Sequence, residues 1–316
     1  MTLASGDTIS FSGSCNGQLT SRVAGNIEVF GNLSSVVGNA STMKNSQFYQ
    51  MFYNQTGLIH ASGLVIPYAS AAPSGMKQMF ASCSNLQTAP KLSAETLGEQ
   101  CYAYMFDQCT ALVQPPSALP SKAGAVRCYY NMFNGCNSMT YSPTIALSAI
   151  PASGCSWMFN YCGALLDAPQ LAVASVGERG CQQMFDHCTS LTGIPEHFLS
   201  GASLVASSCN GMFLNNNALS TVPTLHFGSI NSSTYACQKM FSGCIALTAS
   251  PEIIVDSNVG NNNFHTMFQG CTGMVSAGAI HVPSTGGWGM QEMFLNCTSL
   301  ITPPVMDVQY INNNGM

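Results

Sequence analysis

Apolar and polar positions along this chain follow one eight-residue pattern that returns ten times. One copy reads Met105-Phe106-Asp107-Gln108-Cys109-Thr110-Ala111-Leu112, and the others begin at Met51, Met79, Met132, Met158, Met184, Met212, Met240, Met267 and Met293. Each Met follows the last by 26 to 28 residues, and Met-Phe stands in all ten copies. Cys follows the Phe by three positions in eight copies, with Gln55 and Asn216 in its place in the other two. A Leu or Met closes every copy three positions later. Self-similarity at such a period predicts a solenoid, in which no unit buries its apolar face alone and stacking makes the core continuous.

The rest of each unit is regular too. Pro follows the closing Leu or Met by four residues at Pro90, Pro116, Pro143, Pro169, Pro195, Pro223, Pro251 and Pro304, with Gly278 in the slot of the ninth copy. The segment between, such as Leu191-Thr192-Gly193-Ile194, reads as a short strand that Pro ends by withholding its N–H. An arc of about 14 to 16 residues then returns the chain to Met-Phe. Six copies carry a second Cys three or four residues before the Met: Cys101, Cys128, Cys155, Cys181, Cys209 and Cys237. From this Cys through the motif, apolar residues recur near i, i+3 or i+4, and i+7 or i+8, the signature of one face of a short helix. The expected fold is an α/β solenoid of about ten coils of 26–28 residues, each with a short parallel strand and a short helix.

Residues 1–46 lack the motif, and Thr8–Phe11 and Asn26–Phe30 alternate apolar and polar residues as two strands would. They are expected to form an N-terminal β cap on a solenoid of residues 47–316. No second cap is evident after the tenth unit, which predicts either contact with another subunit, in a homo- or hetero-oligomer, or a longer natural chain.

The pattern Met-Phe-x-x-Cys-Thr-x-Leu-x-x-x-Pro resembles the BspA-like (Treponema-type) leucine-rich repeat, whose core is Ala-Phe-x-x-Cys-x-x-Leu. The copies at Met184 and Met293 carry the likeness best, over residues 47 to about 304. Met in place of Ala and the longer period resemble variants in surface proteins of Bacteroides-type bacteria and their phages. The resemblance implies a right-handed superhelix with a parallel sheet on one face, and adhesion to proteins, cells or matrix. It implies no catalytic residues and no cofactor.

Composition narrows the setting. Charged residues are only 7% of the chain while apolar residues are 46%, so the surface is built from uncharged polar side chains. That suits an extracellular location, on a bacterial cell surface or a virion. Eight Lys and Arg against a net charge of −5, with no basic cluster, argue against a nucleic-acid partner. No run approaches the roughly 20 apolar residues of a membrane span. The first residues lack the basic and apolar regions of a signal peptide, which leaves a mature fragment or a route outside general secretion.

The fifteen cysteines raise three readings. Metal knuckles need Cys-x-x-Cys or paired Cys and His, and the spacing here is seven or eight. On a helix the two slots would lie about 10 Å apart, beyond a disulfide's reach of about 7 Å. Buried ladder thiols, acting as small hydrophobes, fit the repeat best. The six histidines form no triad. Among variable slots beside the motif, Tyr104, Tyr130, Trp157 and Tyr161 fall on neighbouring coils. They are the candidate ligand-binding residues, because exposed aromatics anchor protein and glycan partners; the alternative is isolated surface aromatics. The sequence predicts a non-enzymatic adhesion or recognition protein presenting its repeat surface to a protein or glycan. The alternative is a structural spacer whose C-terminal coil docks on another chain.

Overall fold

The computed structural model describes residues 25–120, 123–230 and 234–311. The chain winds into a solenoid of ten coils, one per motif, and every strand pairing is parallel. Six strands make the longest sheet: Ser175–Val176, Ala202–Leu204, Leu225–Ile230, Ile253–Val255, Ile280–Thr285 and Met306–Ile311. Earlier coils contribute two-stranded ladders, such as Ser70–Ala71 with Thr96–Leu97 and Ala118–Leu119 with Thr144–Ile145. The second expected cap strand forms as Ile27–Asn32 and pairs in parallel with Leu58–Val65, so it continues the stack. Thr8–Phe11 lies outside the described residues.

Two expectations need correction. The segments between Leu and Pro are not strands of three or four residues; they form single bridges, such as Thr88 with Gln114 and Asp167 with Gly193. The strands themselves come after the Pro, as at Ala202–Leu204 beyond Pro195. The expected short helix per coil is also absent: the described residues hold one 3-10 helix, Leu33–Val37, and no α-helix.

In the helix's place is a staircase of overlapping turns. In coil three, the amides of Cys101, Ala103, Met105, Asp107 and Cys109 each donate to the carbonyl three residues back. The alternate amides of Gln100, Tyr102, Tyr104, Phe106 and Gln108 donate to Val126, Cys128, Tyr130, Met132 and Asn134 of the next coil, at 2.8–3.1 Å. The backbone is left-handed at three places in every coil: five residues before the motif Met, one before it and three after it. In coil five these are Ser153, Trp157 and Tyr161, with φ of 51–56°. An L-residue there costs about 1–2 kcal/mol, and it persists because bonds to two neighbouring coils overdetermine the backbone. A four-residue turn period buries residues at spacings of three and four, which is why the pattern imitates a helix.

The buried wall is made of columns. Ten motif phenylalanines, from Phe52 to Phe294, stack ring on ring with centroids 5.1–5.6 Å apart and planes within 12°. All fourteen described cysteines are free and buried. In the slot after the Phe each thiol donates to the Phe carbonyl one coil back, for example Cys109 to Phe80 and Cys136 to Phe106, at 3.1 and 3.2 Å. Cysteine is therefore a small hydrophobe that carries one hydrogen bond, and burial raises its pKa, to about 12 for Cys83 and Cys209. An inert neutral thiol follows.

Asn216 occupies that slot in coil seven, fully buried, with neither amide atom hydrogen-bonded. Leaving a buried polar group unpaired costs about 1–3 kcal/mol. Asn216→Cys is expected to stabilise the protein by about 1–2 kcal/mol in urea unfolding, by restoring a donor to the Phe185 carbonyl. An unchanged or lower stability would contradict the role given to the thiol.

Candidate recognition surface

The turn staircase determines which side chains face outward. Side chains at the left-handed position beside the motif Met, such as Tyr104, Trp157, Gln183 and Lys239, are partly or fully exposed and line up from coil to coil. Hydrogen bonds run along this wall between adjacent coils: Gln50 to Gln78 at 3.1 Å, Lys77 to Gln100 at 2.7 Å, and Asn210 to Gln238 at 2.8 Å. Such side-chain ladders tie the outer wall together, mostly through uncharged amides.

The four aromatic residues expected to bind a ligand all lie on this wall. Tyr104, Tyr130 and Trp157 form one row, with ring centroids 5.3 and 5.4 Å apart and planes at 66° and 71°, so they meet edge to face. The row is an arrangement of neighbours, not isolated surface rings. Arg127 caps it, its guanidinium 5.9 Å from the Tyr130 ring centre. Burial, with the adjoining Tyr130, pushes the Tyr104 phenol up to about 12, so it stays neutral. Tyr161 is in a second row: its ring lies flat on the His187 imidazole at 4.5 Å and 16°, and it is 51% exposed.

Between the two rows is a polar cluster that sequence reasoning did not assemble. Trp157 Nε1 donates to Gln183 Oε1 at 3.0 Å, and Gln183 Nε2 donates to Asp186 Oδ2 at 3.0 Å. His187 Nδ1 lies 2.6 Å from Asp186 Oδ1, and Asn215 Nδ2 reaches the same oxygen at 3.5 Å. Asp186 is only 5% exposed. Burial raises its pKa, and contacts with His187, Gln183 and Asn215 pull against that rise. The signal for this cluster was present in the chain: Gln183, Asp186 and His187 sit in the same variable slots as Trp157, Asn160 and Tyr161, one coil on.

The other histidines are less scattered than their sequence positions imply. His226 Nε2 lies 2.9 Å from Asp256, and His281 lies 3.2 Å from Glu252 and 3.5 Å from Asp307, all on the face of the longest sheet. Among the described residues no group of three or more His, Cys, Asp or Glu is placed to hold a metal ion. A cleft of about 400 Å³ between residues 142–147 and 169–172 is lined by Pro, small and aliphatic side chains with Gln170, and holds no titratable group. No helix among the described residues is long and apolar enough to cross a membrane.

No family model matches the sequence, and no curated protein does. Among solved structures the chain is similar to a leucine-rich repeat protein from Bacteroides ovatus, at 16% identity and a TM-score of 0.41, over 91% of this chain and 74% of that one. It is also similar to a leucine rich cell surface protein from Faecalibacterium prausnitzii, at 18% identity and a TM-score of 0.28, over 86% of this chain and 77% of that one.

Asp107, on the same wall, provides a check on the electrostatics. Its carboxyl is raised by burial, against the pull of Asn134 and Gln108, and Asn134 Nδ2 donates to it at 2.8 Å. A raised carboxyl is a penalty in the folded state only while ionised; the penalty is absent below the unfolded value near 3.8 and complete above the folded one. Asp107→Asn keeps the acceptor for Asn134. Thermal unfolding should find the variant equal to wild type at about pH 3 and more stable at about pH 7; the reverse order would refute the assignment.

Proposed function

We propose that this protein is a non-enzymatic recognition protein of the BspA-like leucine-rich-repeat kind, acting outside the cell on a bacterial surface or a phage particle. The observation that carries this reading is the division of labour in every coil. Met, Phe, Cys and Leu are committed to the interior, and the variable slots beside them present a continuous wall, mostly of uncharged polar and aromatic side chains. Within it Tyr104, Tyr130, Trp157 and Tyr161 offer the kind of aromatic anchors that dominate binding energy in recognition surfaces. The resemblance of the motif to surface-protein repeats points the same way.

A second reading has support from the last coils. Ile301, Val305 and Tyr310 are 80%, 70% and 73% exposed, an apolar group that a neighbouring subunit would cover. In that reading the solenoid is a spacer. Light scattering separates the two: an assembly that dissociates on Ile301→Ser and Val305→Ser belongs to the spacer.

The recognition reading is tested on panels of intact bacterial and epithelial cells and immobilised matrix proteins. Wild-type protein should bind at least one surface, and the Tyr130→Ala, Trp157→Ala double variant should lose about tenfold or more in affinity. Undiminished binding by a folded double variant would remove these aromatics from the function.

A further inference from the structure

The polar cluster beside Trp157 says what class of partner this wall fits. The inference rests on the reading of the wall as a recognition surface. Trp157 and Tyr161 stand four residues apart on one coil, both held out from the core by left-handed backbone. Neither ring is free to swing. The indole is fixed through its N–H to Gln183, and Gln183 through its own amide to the buried Asp186. Tyr161 is backed by His187, whose Nδ1 also lies against Asp186. Asn215 of the following coil donates to Asp186 and lies 3.4 Å from His187 Nε2. One buried carboxylate therefore orients two aromatic rings and three planar polar groups.

We propose that this shelf, Trp157 and Tyr161 with Gln183, His187 and Asn215 around Asp186, binds an extended, uncharged glycan chain. A pyranose ring has one face of C–H groups and a rim of hydroxyls. Fixed aromatic rings suit the first, since they offer large contact area at low entropic cost. Planar amide and imidazole groups suit the second, because each both fixes direction and pairs with neighbouring hydroxyls. Peptide partners are less well matched, because protein hot spots sit in well-packed, fully desolvated pockets, whereas these rings stand on an open shelf, with Tyr161 51% exposed. Anionic chains are disfavoured: the group at the centre is a carboxylate, and the guanidinium groups of this wall are engaged, Arg179 with Glu178 at 3.9 Å and Arg127 over the Tyr130 ring. The row Tyr104, Tyr130, Trp157 extends the shelf from coil to coil, with successive ring centroids 5.3 and 5.4 Å apart. That step is of the order of one sugar unit, so a chain running along the axis would meet one ring per coil.

The test is titration calorimetry with cello-, manno- and chito-oligosaccharides, and with heparin as the anionic comparison. Three variants accompany wild type: Trp157→Ala, Gln183→Ala and, far from the shelf, Tyr49→Ala, each checked for an unchanged melting profile. The expected result is saturable binding of at least one neutral series, weakened about tenfold by Trp157→Ala and measurably by Gln183→Ala, with Tyr49→Ala unchanged. Gln183→Ala removes no aromatic surface, so its effect reports the orienting hydrogen bonds. Absence of binding to every neutral series, preference for heparin, or equal binding by Trp157→Ala would overturn the inference. If a cell or matrix protein is bound through these aromatics while all glycans fail, the glycan assignment falls and the recognition reading stands.

Discussion

Everything in this molecule depends on the hydrogen bond that one turn staircase donates to the next. Half the amides of each staircase close local turns and the other half reach the following coil, always in the same direction along the stack. That alternation consumes the backbone polar groups of a segment whose side chains are largely buried, so the interior can be lined with Phe, Met and Cys at no cost in unpaired amides. It also fixes the coil spacing, and the spacing sets the ring separation of 5.1–5.6 Å in the Phe column. The thiols complete the scheme by giving eight of the ten Phe carbonyls a second donor from the next coil, as Cys136 does for Phe106.

The architecture was legible in the chain because the repeat is strict. Ten copies of Met-Phe set the coil number, and the constant Met, Phe, Cys and Leu positions named the core. The local conformation was misread because buried residues spaced by three and four satisfy a helix and a staircase of four-residue turns equally. One signal could have separated them. Three residues after the Met stand Asn54, Gly135, Asn215, Gly243, Gly270 and Asn296, residues that favour left-handed backbone and disfavour a helix interior. The strand differs in place from the expectation because Pro interrupts the ladder without ending it; pairing resumes beyond it, where the chain again has amides to donate.

The candidate recognition surface was half legible. Tyr104, Tyr130, Trp157 and Tyr161 could be picked out as large residues in variable slots. Their grouping in two rows, and the Gln183–Asp186–His187 cluster between them, depend on the register of adjacent coils, which only the fold supplies. A frame of this kind separates stability from specificity. The inner columns hold each coil in place, and a change at an outward slot alters the surface with little effect on the interior. Glycan recognition along the axis would use that property directly, with one contact row per coil.

The turn staircase itself is most directly tested at Ser82, a partly buried residue with φ of 61° three positions after Met79. Ser82→Gly and Ser82→Ala should be compared by urea unfolding. Left-handed backbone predicts that the Gly variant is the more stable, by about 1 kcal/mol, because alanine pays the steric cost of positive φ and glycine does not. A helix in this segment would give the opposite order, with alanine ahead by about 1 kcal/mol, and that result would contradict the account.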